Sequence, residues 1–331
     1  MNEWLRGHLV CPRDKQELRL GGGQISCVSG HAYPVVDDIP IMLVDDAEST
    51  HGYIEETLRT AKSNEIAVSP DDHSGNSAEN NCFVVDEFVQ KEVPYTSGNL
   101  YFSLQNRLTR YPIPELRLPP GSGERMLDIG CNWGRWSIGA AQKGYQPIGL
   151  DPSLEAVRAA RRVSKQLGVD ANFVVGDARF LPFASGAFDV VFSYGVFQHL
   201  SKENVRMSLD EAARVLKSNG RTLFQMPNKY GLRQYQQHRR RGFSEGEGFE
   251  IRYWTPSELM ETFENKFGET KMSTDCFFGL GIQGRDADLL PLQYKAVVYA
   301  SEILRKISRI VKPLTKVADS VYLESVNHQT K

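Results

Sequence analysis

Three aspartates stand where short apolar runs end: Asp128 within RMLDI (125–129), Asp151 after QPIGL (146–150) and Asp177 after NFVVG (172–176). A carboxylate at such a point often only caps the helix that follows, but three in register, each after its own strand, read better as one wall of a binding site. The segment LDIGCNWGRW (127–136) brackets Asn132 with Gly130 and Gly134. Glycine lets a backbone turn tightly and approach a ligand, and asparagine is among the few other residues that tolerate left-handed angles. The spacing is G-x-N-x-G; the third glycine of a dinucleotide loop would fall on Arg135. A carboxylate at Asp128 would repel a pyrophosphate but suits a cofactor carrying an ammonium and a sulfonium. Asp151, 23 positions later, can accept both ribose hydroxyl protons. Asp177 can accept the exocyclic amine of adenine, with the small Ala178 admitting the ring. These electrostatics favour S-adenosylmethionine over NAD.

The elements that must position these groups alternate. Strand patterns at 125–129, 146–150, 172–176, 188–193 and 221–226 are separated by helical ones. In 153–167, Ser153 can cap the first turn, Leu154, Val157, Val163 and Leu167 return at helical spacing, and Gly168 stops the helix. The pattern predicts a doubly wound α/β fold with a mostly parallel sheet, its ligand at the carboxyl ends of the strands near the switch point.

LDIGCNWGRW, GLDPS (149–153), GDARFLPF (176–183), FDVVFSYGVFQHL (188–200) and RVLKSNG (214–220), in that order, resemble the class I S-adenosylmethionine-dependent methyltransferases, of the type 11-like group, over about 91–331. The resemblance implies a seven-stranded Rossmann-like sheet. It also implies Asp128, Gly130, Asn132 and Gly134 at the methionine end of the cofactor, Asp151 on the ribose, Asp177 and Ala178 at adenine, and Ser193 alongside. Asn132 departs from the glycine that most members carry. Methyl transfer is an in-line displacement, so holding the nucleophile against the methyl group supplies most of the acceleration and a base is optional. For a hydroxyl or acidic carbon the candidate base is His199, with cap or loop orientation as the competing role. Tyr194 and Gln198 stand at the same strand end, and Arg252, Tyr253 and Trp254 of EIRYW could roof the acceptor, although Tyr194 could equally be core and the EIRYW trio could form a hydrophobic staple. HRRR (238–241) could contact phosphate or an acidic substrate, but reads better as a solvated loop. GLGIQG (279–284) matches a dinucleotide loop letter for letter, yet Pro291 and the lack of a βαβ unit mark it as a chance match.

Residues 1–45 read as a small β-rich unit resembling a degenerate zinc-ribbon-like domain of the tRNA-methyltransferase-activator type. Each zinc knuckle has kept one cysteine, in CPRD (11–14) and CVSGH (27–31), so a site would need Cys11, Asp14, Cys27 and His31; a metal-free packing unit is the expectation. Residues 46–90 read as a linker, partly disordered, and 91–331 as the catalytic domain with a helical insertion near 285–318. Within 295–316, Lys295, Arg305, Lys306, Arg309, Lys312 and Lys316 face only Glu302, while Val297, Ile303, Ile307, Ile310 and Val311 recur at helical spacing. That helix is either a lid or a peripheral contact with an anionic membrane.

With 331 residues, 39 Lys and Arg against 41 Asp and Glu, and a net charge of −2, the chain lacks the basic balance of a bulk nucleic-acid binder. SYGVF (193–197) is not the loop of an adenine amino-methylase, and neither Cys131 nor Cys276 is placed as a cytosine nucleophile. The five scattered cysteines, the absence of a span of about 18 apolar residues and the polar start MNEWLRGHLV suggest a cytoplasmic protein with free thiols. The expectation is therefore a methyltransferase for a small-molecule or lipid-linked acceptor. The rivals are a catalytically silent scaffold of the same fold, an RNA or tRNA methyltransferase, and a nicotinamide-dependent oxidoreductase.

Overall fold

The computed structural model describes residues 1–21, 24–47, 49, 52–66, 84–279 and 281–327. The polar stretch 67–81 and Cys82 lie outside them. A one-and-a-half-turn helix, α1 (Glu3–His8), leads into four short strands, β1 (Leu18–Gly21), β2 (Gln24–Cys27), β3 (Ala32–Val36) and β4 (Ile39–Met42). Helices α2 (Tyr53–Ile66) and α3 (Glu87–Ser97) follow. The alternating region runs β5 (Arg125–Ile129), α4 (Arg135–Gln142), β6 (Gln146–Asp151), α5 (Leu154–Gln166), β7 (Asn172–Gly176), β8 (Phe188–Tyr194), α6 (Lys202–Val215) and β9 (Leu216–Pro227). It closes with α7 (Leu232–Arg240), α8 (Pro256–Phe267), β10 (Thr270–Cys276), α9 (Leu292–Ser308) and β11 (Ser320–Val326).

The strands form one sheet in the order β1-β2-β3-β4-β7-β6-β5-β8-β9-β11-β10. From β4 through β9 every pairing is parallel, and β11 runs antiparallel between β9 and β10. Strand order reverses at β5, which pairs β6 on one side and β8 on the other, so the crevice lies above Asp128 and Ile129. The parallel strands are apolar on both sides because helices cover both faces. Leu127, Val191, Phe224 and Leu323 pack with Leu209 of α6 and Leu259 and Phe263 of α8. Met126, Val190, Phe192 and Leu223 pack with Trp136 of α4.

Local signals act as their chemistry requires. Ser153 accepts from the Ala156 amide at 3.3 Å, starting α5. Gly168, at φ 64°, ends it. Thr255 and Glu258 form a reciprocal capping box at the start of α8.

Four sequence expectations change. The N-terminal strands are not a separate unit: among the described residues they extend the seven strands β5–β11 to eleven, because β4 pairs β7 through Ile41 opposite Val175 and Met42 opposite Gly176. The strand at 320–326 does not close the sheet; it lies inside, with β10 outside it. The span 46–90, expected as a linker, contains the whole of α2. β9 begins at Leu216, five residues before the expected start. The 285–318 insertion consists of α9 with a short 3-10 turn on either side. GLGIQG follows β10, but the helix beyond it leads to antiparallel β11, so no parallel βαβ unit surrounds it. No helix among the described residues is long and apolar enough to cross a membrane.

Candidate cofactor and acceptor site

The loop after β5 has the left-handed backbone its residues foretell: φ is 74° at Gly130, 47° at Asn132 and 80° at Gly134. A Cβ on Gly130 would come within 2.2 Å of Val196 Cγ2, so glycine is required there on two counts. The amides of Gly130 and Cys131 both donate to the Leu150 carbonyl, at 2.7 and 3.0 Å. Asn132 donates its amide to Asp151 Oδ2, at 2.9 Å, and its side-chain oxygen receives the Trp133 amide.

The two acids under this loop are buried and raised. Asp128 accepts from Ser137 Oγ at 2.6 Å, and desolvation, aided by the charge of Asp151, pushes its carboxyl up to about 7. Asp151 also accepts from the Ser153 amide, and burial raises it to about 6. Neither carboxyl has a salt-bridge partner among the described residues, and an ammonium at Asp128 with ribose hydroxyls at Asp151 would complete the pair. The third acid differs. Asp177 is gripped by Arg179, whose Nη2 lies 2.7 Å from Oδ2 and whose amide donates to Oδ1, so an adenine amine would share a carboxylate already paired. Ala178 follows and is buried. Ser193 donates to the Ile129 carbonyl at 3.0 Å, tying β8 to the loop strand from inside the sheet.

On the acceptor side, His199 Nδ1 lies 2.6 Å from the Phe249 carbonyl, which places the proton there, and Nε2 receives the Gln198 amide at 3.0 Å. The imidazole stacks on the Phe249 ring at 3.9 Å. Arg252 donates to the carbonyls of His199, Gly248 and Glu250, and its own amide donates to Gln198, so the 248–252 loop is sewn to the strand end of β8. The remaining acceptor candidates turn inward. Tyr194 donates to Asp275 Oδ2 at 2.9 Å on the β10 side. Tyr253 reaches Gln237, and Trp254 is 1% exposed in the core under Lys202. Within HRRR, His238 packs on Tyr253 while Arg239 and Arg240 are exposed.

Several residues were missed by sequence reasoning. Thr57 of α2 donates to the Pro152 carbonyl at 2.8 Å and accepts from the Leu154 amide at 3.0 Å, docking α2 on the loop that carries Asp151. Tyr53, at the start of α2, lies within electrostatic reach of Asp151, and its ring meets the Phe249 ring edge-on at 6.5 Å. The spacing of Ile54, Leu58 and Ala61 carried the signal for this helix. Trp133 donates to Thr96 of α3 at 3.2 Å, so a second helix covers the loop. Arg135 is buried and, among the described residues, has no hydrogen-bond partner on any guanidinium nitrogen; it lies between the fields of Asp128 and Asp286.

The fold is a doubly wound α/β domain with two buried acids and a left-handed loop at its switch point. Residues 126–220 match the methyltransferase domain family. An uncharacterised methyltransferase of Synechocystis is 30% identical over 116 residues, 35% of this chain and 52% of that one. A ubiquinone biosynthesis O-methyltransferase of Azorhizobium caulinodans is 33% identical over 103 residues, 31% of this chain and 40% of that one. The crystal structure of YcgJ from Bacillus subtilis overlays 63% of this chain and 94% of its own, at 21% identity and a TM-score of 0.42. The chain spans about half or less of the length of the curated relatives it matches. S-adenosylmethionine is the cofactor to which the family match points and which the buried acids fit.

Proposed function

We propose that the protein is an S-adenosylmethionine-dependent methyltransferase acting on a small-molecule or lipid-linked acceptor. The observation that carries this reading is the pair of buried acids, both raised by desolvation, beneath a left-handed loop. Bound S-adenosylmethionine supplies an electrophilic methyl group on its sulfonium. The chain's own part is to hold the ammonium against Asp128, the ribose against Asp151 and adenine beside Asp177 and Ala178, with Ser193 bracing the strand beneath. The acceptor then lies between the α2–α3 cover and the loop joined by His199, Gln198 and Arg252. Tyr194, Tyr253 and Trp254 support that wall from within the core.

A lipid-linked acceptor is favoured by α9. Leu292, Tyr299, Ile303 and Ile307 are exposed on it, Ile310 is exposed just beyond, and Lys306, Arg309 and Lys312 stand beside them. An apolar stripe flanked by cations fits an anionic bilayer surface. Arg305 contributes less than its charge suggests, because it is paired with Glu302.

The test is calorimetric titration with S-adenosylhomocysteine, alongside Asp151→Ala. Micromolar-range binding that is lost in the variant is the expected result; no binding by the intact protein would overturn the enzyme reading in favour of a silent scaffold. Flotation with vesicles rich in anionic lipid separates the acceptor classes: an intact protein that stays off them leaves the small molecule.

A further inference from the structure

The turns CPRD (11–14) and CVSGH (27–31) of the N-terminal unit converge in space. Cys11 Sγ and Cys27 Sγ each lie 3.4 Å from His31 Nδ1, Asp14 Oδ2 lies 3.3 Å from that same nitrogen, and Cys27 Sγ is 3.7 Å from Asp14 Oδ2. All four ligand-type atoms fall within 4.8 Å of one another. One ring nitrogen makes one hydrogen bond, so three polar atoms crowding Nδ1 exceed what hydrogen bonding can use. A tetrahedral zinc bound by sulfur, nitrogen and oxygen sets edges of about 3.5 Å for S to N, about 3.6 Å for S to O and about 3.4 Å for N to O. The three edges to His31 Nδ1 and the edge from Cys27 Sγ to Asp14 Oδ2 match these within about 0.1 Å.

We propose that Cys11, Asp14, Cys27 and His31 form a tetrahedral zinc site, assembled from two turns that each supply one cysteine and one ligand of another type. Two thiolates with an imidazole and one carboxylate are a borderline-soft donor set, which selects zinc over magnesium or calcium. On binding, the two thiols release their protons to solvent and the sulfurs bond to the metal.

The surroundings orient the ligands. The Gln16 amide donates to Asp14 Oδ1 at 3.2 Å, which leaves Oδ2 to face the cluster. Tyr33 OH lies 3.2 Å from Cys11 Sγ, placed to donate to a thiolate. The first turn is closed by the Lys15 amide on the Cys11 carbonyl, with Lys15 itself left-handed. The second is closed by the Gly30 amide on the Cys27 carbonyl and by the Cys27 amide on the His31 carbonyl. Both sulfurs are buried, while Asp14 and His31 reach partly into solvent and leave a path for the ion.

The full chain, incubated with zinc and passed into metal-free buffer, is expected to retain about one zinc per chain by elemental analysis. Cobalt in its place is expected to give the visible spectrum of a tetrahedral thiolate complex. Asp14→Asn keeps the size of the side chain and is expected to fold with an unchanged circular dichroism spectrum yet lose zinc to a chelator at least about tenfold more readily. Cys11→Ser and His31→Ala are expected to lose it outright. Folded protein that retains no zinc and shows no thiolate band with cobalt would overturn the site, as would variants that hold the metal as tightly as the parent. None of these readouts involves the nucleoside site.

Discussion

The backbone amide of Asn132 donates to the carboxylate of Asp151 across 2.9 Å, so the loop that ends β5 is fixed by the acid that ends β6. The residue that departs from the usual glycine is thus held in its left-handed turn by the group assigned to the ribose. Asparagine meets that turn at φ 47° with its own side chain bonding the next amide. Replacing Asn132 with glycine should therefore alter S-adenosylhomocysteine affinity by less than about threefold, whereas Asn132→Ala should cost about 1 kcal/mol of stability. Titration calorimetry and thermal unfolding measure the two. A large gain in affinity for the glycine variant would revive the silent scaffold.

Cofactor affinity should depend on pH. Asp128 is raised from the ordinary 3.8 to about 7 and Asp151 to about 6, so in the free protein both hold protons that the unfolded chain would release. Their contribution to stability is fully present below pH about 4 and is lost as pH rises through 6 and 7. The ligand reverses the preference, its ammonium favouring the ionised form of Asp128 and its ribose hydroxyls, as donors, the ionised form of Asp151. Affinity for S-adenosylhomocysteine should then rise up to about tenfold per unit from pH about 5.5 and level off above about 7.5. A flat profile would show that the acids do not meet the ligand's ammonium.

Thr57→Val should unfasten α2 from the cofactor loop. The hydroxyl both donates to the Pro152 carbonyl and satisfies the buried Leu154 amide. Leaving these groups unpaired should cost about 1–3 kcal/mol, read as a lower melting temperature, and weaken the cofactor complex further. Unchanged melting would mean that α2 does not dock there in solution.

Arg135→Met should leave the free protein as stable as the parent or stabilise it by about 1–3 kcal/mol, because an unbonded buried guanidinium costs more than it returns. Strong destabilisation on denaturant unfolding would show that the arginine is bonded in solution.

His199→Gln distinguishes positioning from proton transfer. Both imidazole nitrogens are engaged, one by a carbonyl and one by an amide. If the ring only clasps the acceptor loop, turnover should fall by less than about tenfold; a loss of about a hundredfold or more, with an acidic limb removed from the pH profile, would identify a base.

The strand ends and the cofactor loop were legible because their signals are local. RMLDI and NFVVG are short, mostly apolar runs, the first followed directly by α4 and the second by a single 3-10 turn, and Gly130, Asn132 and Gly134 announce their backbone angles by residue type. β10 was not legible: TKMSTDC has only Met272 and Cys276 as apolar residues while Thr270, Thr274 and Asp275 are polar yet buried, and its pairing with Ser320–Val326 crosses about fifty residues. The cover over the site was hidden for the same reason. Thr57 bonds Pro152 across 95 positions, and nothing near Thr57 marks it as anything but one polar residue of an amphipathic helix. The start of β9 was obscured by KSNG, which reads as a turn, since Asn219 does take a left-handed angle inside the strand.

The pairing of β4 with β7 also decides where the sheet stops. Without the N-terminal strands, β7 would present the open amides and carbonyls of Asn172–Gly176, an almost wholly buried strand, as a template for another chain. With them, the terminal strand on that side is β1, four residues long and largely exposed, with a ladder too short to recruit a neighbour stably. A truncation that removed residues 1–45 would therefore be expected to fail through aggregation before any question of catalysis arose.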